Sequence, residues 1–120
     1  MAIRLDKLDV LFSRYVRLRA DNHCEYCGQW KEVGRLQCSH FIGRRHRGTR
    51  WEVDNCAALC YTCHNLMHDF PSTHKEFFTQ RIGSDRLEQL AIMANTRCKP
   101  DKEELTKRFK EGIKLLEEGK

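Results

Sequence analysis

A chain of 120 residues carrying 22 Lys and Arg against 17 Asp and Glu, for a net charge of +5, has room for one domain with a modest core, of the kind often completed by a metal or a partner. No stretch approaches the apolar length of a membrane span, and the first ten residues mix Arg4, Asp6, Lys7 and Asp9 with apolar neighbours, unlike an export signal. Seven cysteines, an odd number, in a chain without such a signal argue against a disulfide framework, so a cytoplasmic protein with no membrane partner is expected.

Leu5, Leu8, Leu11, Phe12, Tyr15 and Leu18 recur at three- and four-residue intervals and predict an amphipathic helix that runs to about Ala20 and stops at Asp21-Asn22. Cys24-Glu25-Tyr26-Cys27-Gly28 then reads as a tight turn presenting two thiols. Gln29 to Ile42 is strand-like, with Gly34 as a turn point, and Gly43 to Arg50 is a polar loop. The segment from Arg35 to Arg50 holds Arg35, Arg44, Arg45, Arg47 and Arg50 and no acid, a local excess suited to phosphate contact. Ala57-Ala58-Leu59 offers a second short strand. A helix should follow from near Tyr61 to Phe70, because Pro71 disfavours a helical residue before it. Lys75 to Ile82 predicts another helix, stopped by Gly83. Ser84 is a natural N-cap for the next, which carries Leu87, Leu90, Ala91 and Ala94. Lys99-Pro100-Asp101 should open the last helix, with Pro100 in its first turn and Leu105, Phe109, Ile113 and Leu116 as its stripe. The class expected is α+β.

Two C-x-x-C pairs, Cys24/Cys27 and Cys60/Cys63, stand far apart in the chain. Zinc takes four sulfur or nitrogen ligands tetrahedrally, and one tight turn with two-residue spacing supplies two of them. A structural zinc site is therefore expected, in preference to ordinary buried thiols or a redox dithiol. It would clamp the ends of the segment that holds the arginines. Cys38, Cys56 and Cys98 have no partner at ligand spacing and read as small buried apolar side chains, with Cys38 close in sequence to His40.

Of the six histidines, His64 and His68 lie four apart in a predicted helix, on one face and one turn apart. Two imidazoles so placed can share a divalent ion, or form a solvated surface pair. His40 and Asn55 each border a strand-like segment, and either alone reads as structural, Asn55 as a turn residue. His23 and His74 are assigned to surface or local structure, and His46 to the basic loop.

The run Asn55-Cys56-Ala57-Ala58-Leu59-Cys60-Tyr61-Thr62-Cys63-His64 resembles the N-x-x-x-L-C-x-x-C-H signature of the HNH, or ββα-metal, endonucleases, with His40, Asn55 and His64 in the family's order and spacing. Ser39-His40-Phe41-Ile42-Gly43-Arg44, Thr49-Arg50-Trp51, Asp54-Asn55 and the stretch Phe77 to Leu90 are similar to phage recombination proteins of the NinG (Rap) type. The likeness covers roughly Cys24 to Leu90. It implies a ββα-metal core at about 23–70 within a single domain 1–120, flanked by helices at about 4–20 and 73–118. It further implies His40 as the general base, Asn55 as the brace of the hairpin loop, and His64 as a ligand of one catalytic ion, with His68 matching a second helical ligand of some members. Many members place an aspartate ligand before the base; here Ser39 stands there, a weak donor at most.

These parts together imply a DNA endonuclease or nickase. Histidine, with an ordinary pKa of about 6.5, takes a proton from water at neutral pH. A single Mg2+, Mn2+ or Ni2+ ion would neutralise phosphate charge. Arg50 beside Trp51 is the first choice to hold phosphate, with Arg44, Arg45 and Arg47 on the flanking backbone. Such contacts give affinity without sequence choice. The alternative is a zinc-stabilised nucleic-acid-binding module with a degenerate site, which Ser39 favours. A monomer or a homodimer fits equally.

Overall fold

A computed structural model describes residues 4–32, 34–97 and 99–119; Cys98 lies outside them. Helix α1, Lys7–Arg19, starts at Asp6, whose carboxylate accepts from the Asp9 N–H while Asp9 accepts from the Asp6 N–H, a reciprocal capping box. It ends at Asp21 and Asn22, both with positive φ, where the chain turns into the first cysteine pair.

Strand β1, Gln37–His40, pairs antiparallel with β2, Cys56–Leu59, in the register Gln37 to Leu59, Cys38 to Ala58, Ser39 to Ala57 and His40 to Cys56. The expected strand over Gln29 to Ile42 is thus much shorter. Residues 22–31 close on themselves instead: Cys24 N–H donates to Gln29 O, Gly28 N–H to Cys24 O and Lys31 N–H to Asn22 O, so their backbone groups are satisfied within the knuckle. Gly28, with φ 80, takes the left-handed conformation this turn requires.

Helix α2, Tyr61–Asp69, follows β2 directly and completes a ββα unit. Helix α3, Pro71–Ile82, begins four residues earlier than expected, because Pro71 sits in its first turn, where a missing N–H costs nothing. Helix α4 is Ser84–Asn95; Gly83, with φ 85, rather than Ser84, is its N-cap. Helix α5 is Lys102–Glu118, capped by Asp101 accepting from Glu104 N–H, so Pro100 precedes the helix instead of joining its first turn.

The two faces of the hairpin are covered differently. Alternation along β1 sends Cys38 and His40 to one face and Gln37 and Ser39 to the other. The Cys38/His40 face lies under α1, where His40 stacks at 6.0 Å from Phe12; the Ser39 face receives α2 through His64. Helix α5 closes over α1 through Phe109, whose ring meets Phe12 at 5.0 Å and Tyr15 at 5.3 Å. Gly112 permits this approach, since a Cβ there would stand 3.2 Å from the Tyr15 ring. One core runs from Leu8 through the hairpin to Leu90 and Phe109. The fold is α+β, five helices around a two-stranded sheet, and among the described residues no helix is long and apolar enough to cross a membrane.

Candidate active site and metal centre

Cys24, Cys27, Cys60 and Cys63 converge, their sulfur atoms all within 4.8 Å of one another and Cys27 Sγ 3.9 Å from Cys60 Sγ. Tetrahedral Zn–S bonds of about 2.3 Å set sulfur pairs about 3.8 Å apart, so the donor set fits zinc by type and by spacing. Burial would raise the Cys24 thiol, but the backbone N–H groups of Cys27, Cys60 and Tyr26 aim at it and hold its pKa at about 7. Such N–H groups favour the thiolate a metal takes. Glu25 locks this knuckle to the hairpin: its N–H donates to Ala58 O, its carboxylate accepts from Ala58 N–H, and Arg19 and Arg81 pair with it at 3.2 and 2.9 Å.

On the α2 side, Ser39 Oγ lies 2.5 Å from His64 Nδ1. Burial first, then the charges of His68 and Arg44, keep His64 below its ordinary pKa. His68, one turn on, is 85% exposed and touches Asp69 at 3.5 Å. His74, assigned from sequence to local structure, packs edge-on to Phe41 and Phe78 and is lowered by burial and by the charge of His64. Its Nε2 is buried without a hydrogen-bond partner. The signal for it was a histidine on the apolar face of α3, four residues before Phe78.

His40 ends β1 on the face opposite Ser39. Its Nε2 lies 2.9 Å from the carbonyl oxygen of Arg50. A carbonyl only accepts, so Nε2 carries the proton and Nδ1 keeps the lone pair. Nδ1 is buried and without a partner. Burial pushes the pKa of His40 from 6.5 down to about 4, against the Arg50 carbonyl and helped by the charge of Arg44. His40 is therefore neutral at pH 7. Arg44, half-buried with its Nε unpartnered, acts electrostatically on both His40 and His64.

Asn55, grouped with the catalytic residues as the brace of the hairpin loop, is fully buried. Its Nδ2 donates to Ile42 O and Thr49 O, and its Oδ1 accepts from Ile42 N–H. It closes the hairpin loop with its side-chain amide committed on both ends. Arg50, the first choice for phosphate, donates Nε and Nη2 to the two Asp9 oxygens at 2.9 and 2.5 Å, and Nη2 also to Arg4 O. That bidentate grip commits Arg50 to a carboxylate, whereas Arg45 and Arg47 stand exposed on the loop. His46 is tied by Nδ1 to Ala94 O, and His23 by Nδ1 to Asp21 O.

No curated protein and no solved structure matches the chain. Residues 24–70, from the first zinc-pair cysteine through β1, β2 and α2, match the family model of the HNH endonucleases.

Proposed function

We propose that the protein is a metal-dependent DNA nuclease or nickase of low sequence specificity, with His40 as general base and His64 as the principal ligand of a catalytic divalent ion. One observation carries the reading: within the segment that matches the nuclease family, His40 offers a neutral imidazole oriented by the Arg50 carbonyl while His64 meets Ser39 at 2.5 Å across the hairpin. The donors around His64 suit a divalent ion in type. His64 keeps Nε2 beyond its Ser39 contact, and His68 stands one turn away on α2, exposed to solvent. Imidazole ligands favour Ni2+ over Mg2+, which prefers oxygen. A divalent ion bound there supplies Lewis-acid neutralisation of the phosphate charge.

The chain's own groups do the rest. His40 would accept the proton of the attacking water on Nδ1, a role that requires DNA binding to open this buried atom to water, and the Nε2–H bond to the carbonyl would stabilise the ring as it becomes positive. Arg45 and Arg47 hold backbone phosphates, and Arg44 adds positive charge between the two histidines. Asn55 fixes the loop from which these arginines project.

The test is nicking of supercoiled plasmid with Mg2+, Mn2+ or Ni2+. We expect His40→Ala to lose about 10²- to 10⁴-fold in rate with an unchanged far-UV spectrum, and His64→Ala to lose the response to metal. Unchanged cleavage by His40→Ala would remove the base assignment. Tight DNA binding without cleavage under any metal points to the degenerate binding module.

A further inference from the structure

We propose that Cys38, Cys56 and His40 form a second, buried metal site that takes a soft d10 ion of the zinc class, and that its occupation withdraws His40 from reaction. The site itself is independent of the nuclease reading; only the inhibitory consequence rests on it.

The sequence spaces these residues at no recognisable ligand interval. The hairpin register brings them together: Cys38 and His40 are two apart on β1 and share a face, and Cys56 is the cross-strand partner of His40. Both sulfur atoms and one ring nitrogen of His40 lie within 4.8 Å of one another, the same limit met by the four-cysteine centre. In a tetrahedral arrangement of two sulfurs and one nitrogen the donors stand about 3.5–3.8 Å apart, so the cluster needs a contraction of about an ångström at most. The ring is already fixed by its Nε2–H bond to Arg50 O, the pattern that orients metal-binding histidines. Nδ1 is left buried and without a partner, an uncommon state for a polar atom in a core. Cys56 is fully buried and Cys38 nearly so. The charges of Arg17 and Arg44 reach Cys38 and offset the negative sulfurs. Two thiolates and an imidazole select a soft or borderline ion over Mg2+.

Binding changes no oxidation state. Each S–H bond breaks with its electron pair left on sulfur, that pair passes to the ion, and two protons go to solvent. His40 donates its lone pair and keeps its other ring proton on the Arg50 carbonyl. The nitrogen pair that would accept a proton from water is then occupied.

The experiment titrates Zn2+ into the reduced full chain already holding one zinc equivalent, with stoichiometry read by native mass spectrometry and by a chromophoric zinc competitor. In a His64→Ala background, which removes the catalytic ion from the count, we expect a second equivalent with Cys38 and Cys56 intact and only one in Cys38→Ala/Cys56→Ala. With His64 intact, loading this site should slow plasmid nicking about a hundredfold, the order of a general base's contribution, and leave the double variant's nicking unaffected. His40→Ala, read by stoichiometry alone, should weaken the second site and serves as the arbiter if the double variant fails to fold. Saturation at one equivalent in the His64→Ala background overturns the proposal, as does a second equivalent retained in both the double variant and His40→Ala. A second equivalent in that background, with a parent that never nicks DNA, supports the site and refutes the nuclease reading.

Discussion

Asp9 receives four hydrogen bonds on two oxygens: from Asp6 N–H, from Arg50 Nε and Nη2, and from Trp51 Nε1. The residue is 2% exposed and the Arg50 side chain 11%, so this is a buried ion pair whose loss leaves a desolvated guanidinium behind. Removing one partner of such a pair costs about 3–5 kcal/mol; Asp9→Asn should therefore lower the stability read by urea unfolding at pH 7 by that order. Burial alone would raise the Asp9 carboxyl. The Arg50 bonds and the capping N–H outweigh it and hold it below 3.8. The unfolded chain consequently takes up this proton first as pH falls. The contribution is complete above pH 3.8 and disappears as pH drops through the lower folded value, so the gap between parent and Asp9→Asn should narrow on acidification. Asn55 carries a second prediction. Its removal strands Ile42 N–H and two carbonyls in a buried loop, at about 1–3 kcal/mol per unsatisfied group. Asn55→Ala should be destabilised by about 3 kcal/mol and lose cleavage, while binding at the four-cysteine centre survives. These roles were unevenly legible. An aspartate falling between Leu8 and Phe12 on the apolar stripe of α1 is a visible anomaly, but no local pattern names Arg50 as its partner across forty residues of chain.

At the level of elements, the four-cysteine centre joins the turn after α1 to the start of α2, and β2 runs between Glu25 and the helix. Structural zinc contributes on the order of 10–16 kcal/mol to folding in small domains, as much as or more than the ~5–15 kcal/mol net stability of an ordinary domain. Chelation should therefore unfold the hairpin and α2 rather than loosen them, and Cys60→Ala should release zinc and collapse the far-UV spectrum. A Cys60→Ala protein that keeps one zinc equivalent and its helicity would remove the clamp. Helices α1 and α5 were readable because each buries a stripe at the 3.6-residue period, and α2 because Pro71 sets its end. β1 was overestimated because apolar spacing does not reveal that Cys24, Gly28 and Lys31 spend their N–H groups on turns inside the knuckle. Which β1 side chain meets His64 was equally hidden: chain order put His40 and His64 in one motif, and it is the two-residue pleat that sends Ser39, not His40, toward α2.

For the molecule as a whole, the net charge of +5 says less than where the charge is free. Among the described residues, six of the chain's 22 basic side chains are paired with carboxylates: Arg19 and Arg81 on Glu25, Arg50 on Asp9, Arg86 on Glu52 and Asp54, Lys102 on Asp6 and Arg14 on Glu117. Arg45 and Arg47 differ in standing exposed on the hairpin loop without a carboxylate partner within ion-pair distance among the described residues. Gly48 seats that loop against the end of α4, where a Cβ would meet Met93 O at 2.2 Å, so the arginines project from a fixed base rather than a loose tail. If they contact DNA phosphates, each releases counterions and steepens the logarithmic salt dependence of binding by about 0.9. Arg45→Ala/Arg47→Ala should flatten the slope by about 1.8 in anisotropy titrations of duplex DNA at several salt concentrations, and weaken binding alike on unrelated sequences. Arg14→Ala/Lys102→Ala removes the same formal charge from two groups already paired with carboxylates and should leave the slope nearly unchanged. Equal flattening by both pairs would mean that the protein presents a diffuse positive surface, and the hairpin loop would then lose its place as the element that meets the DNA backbone.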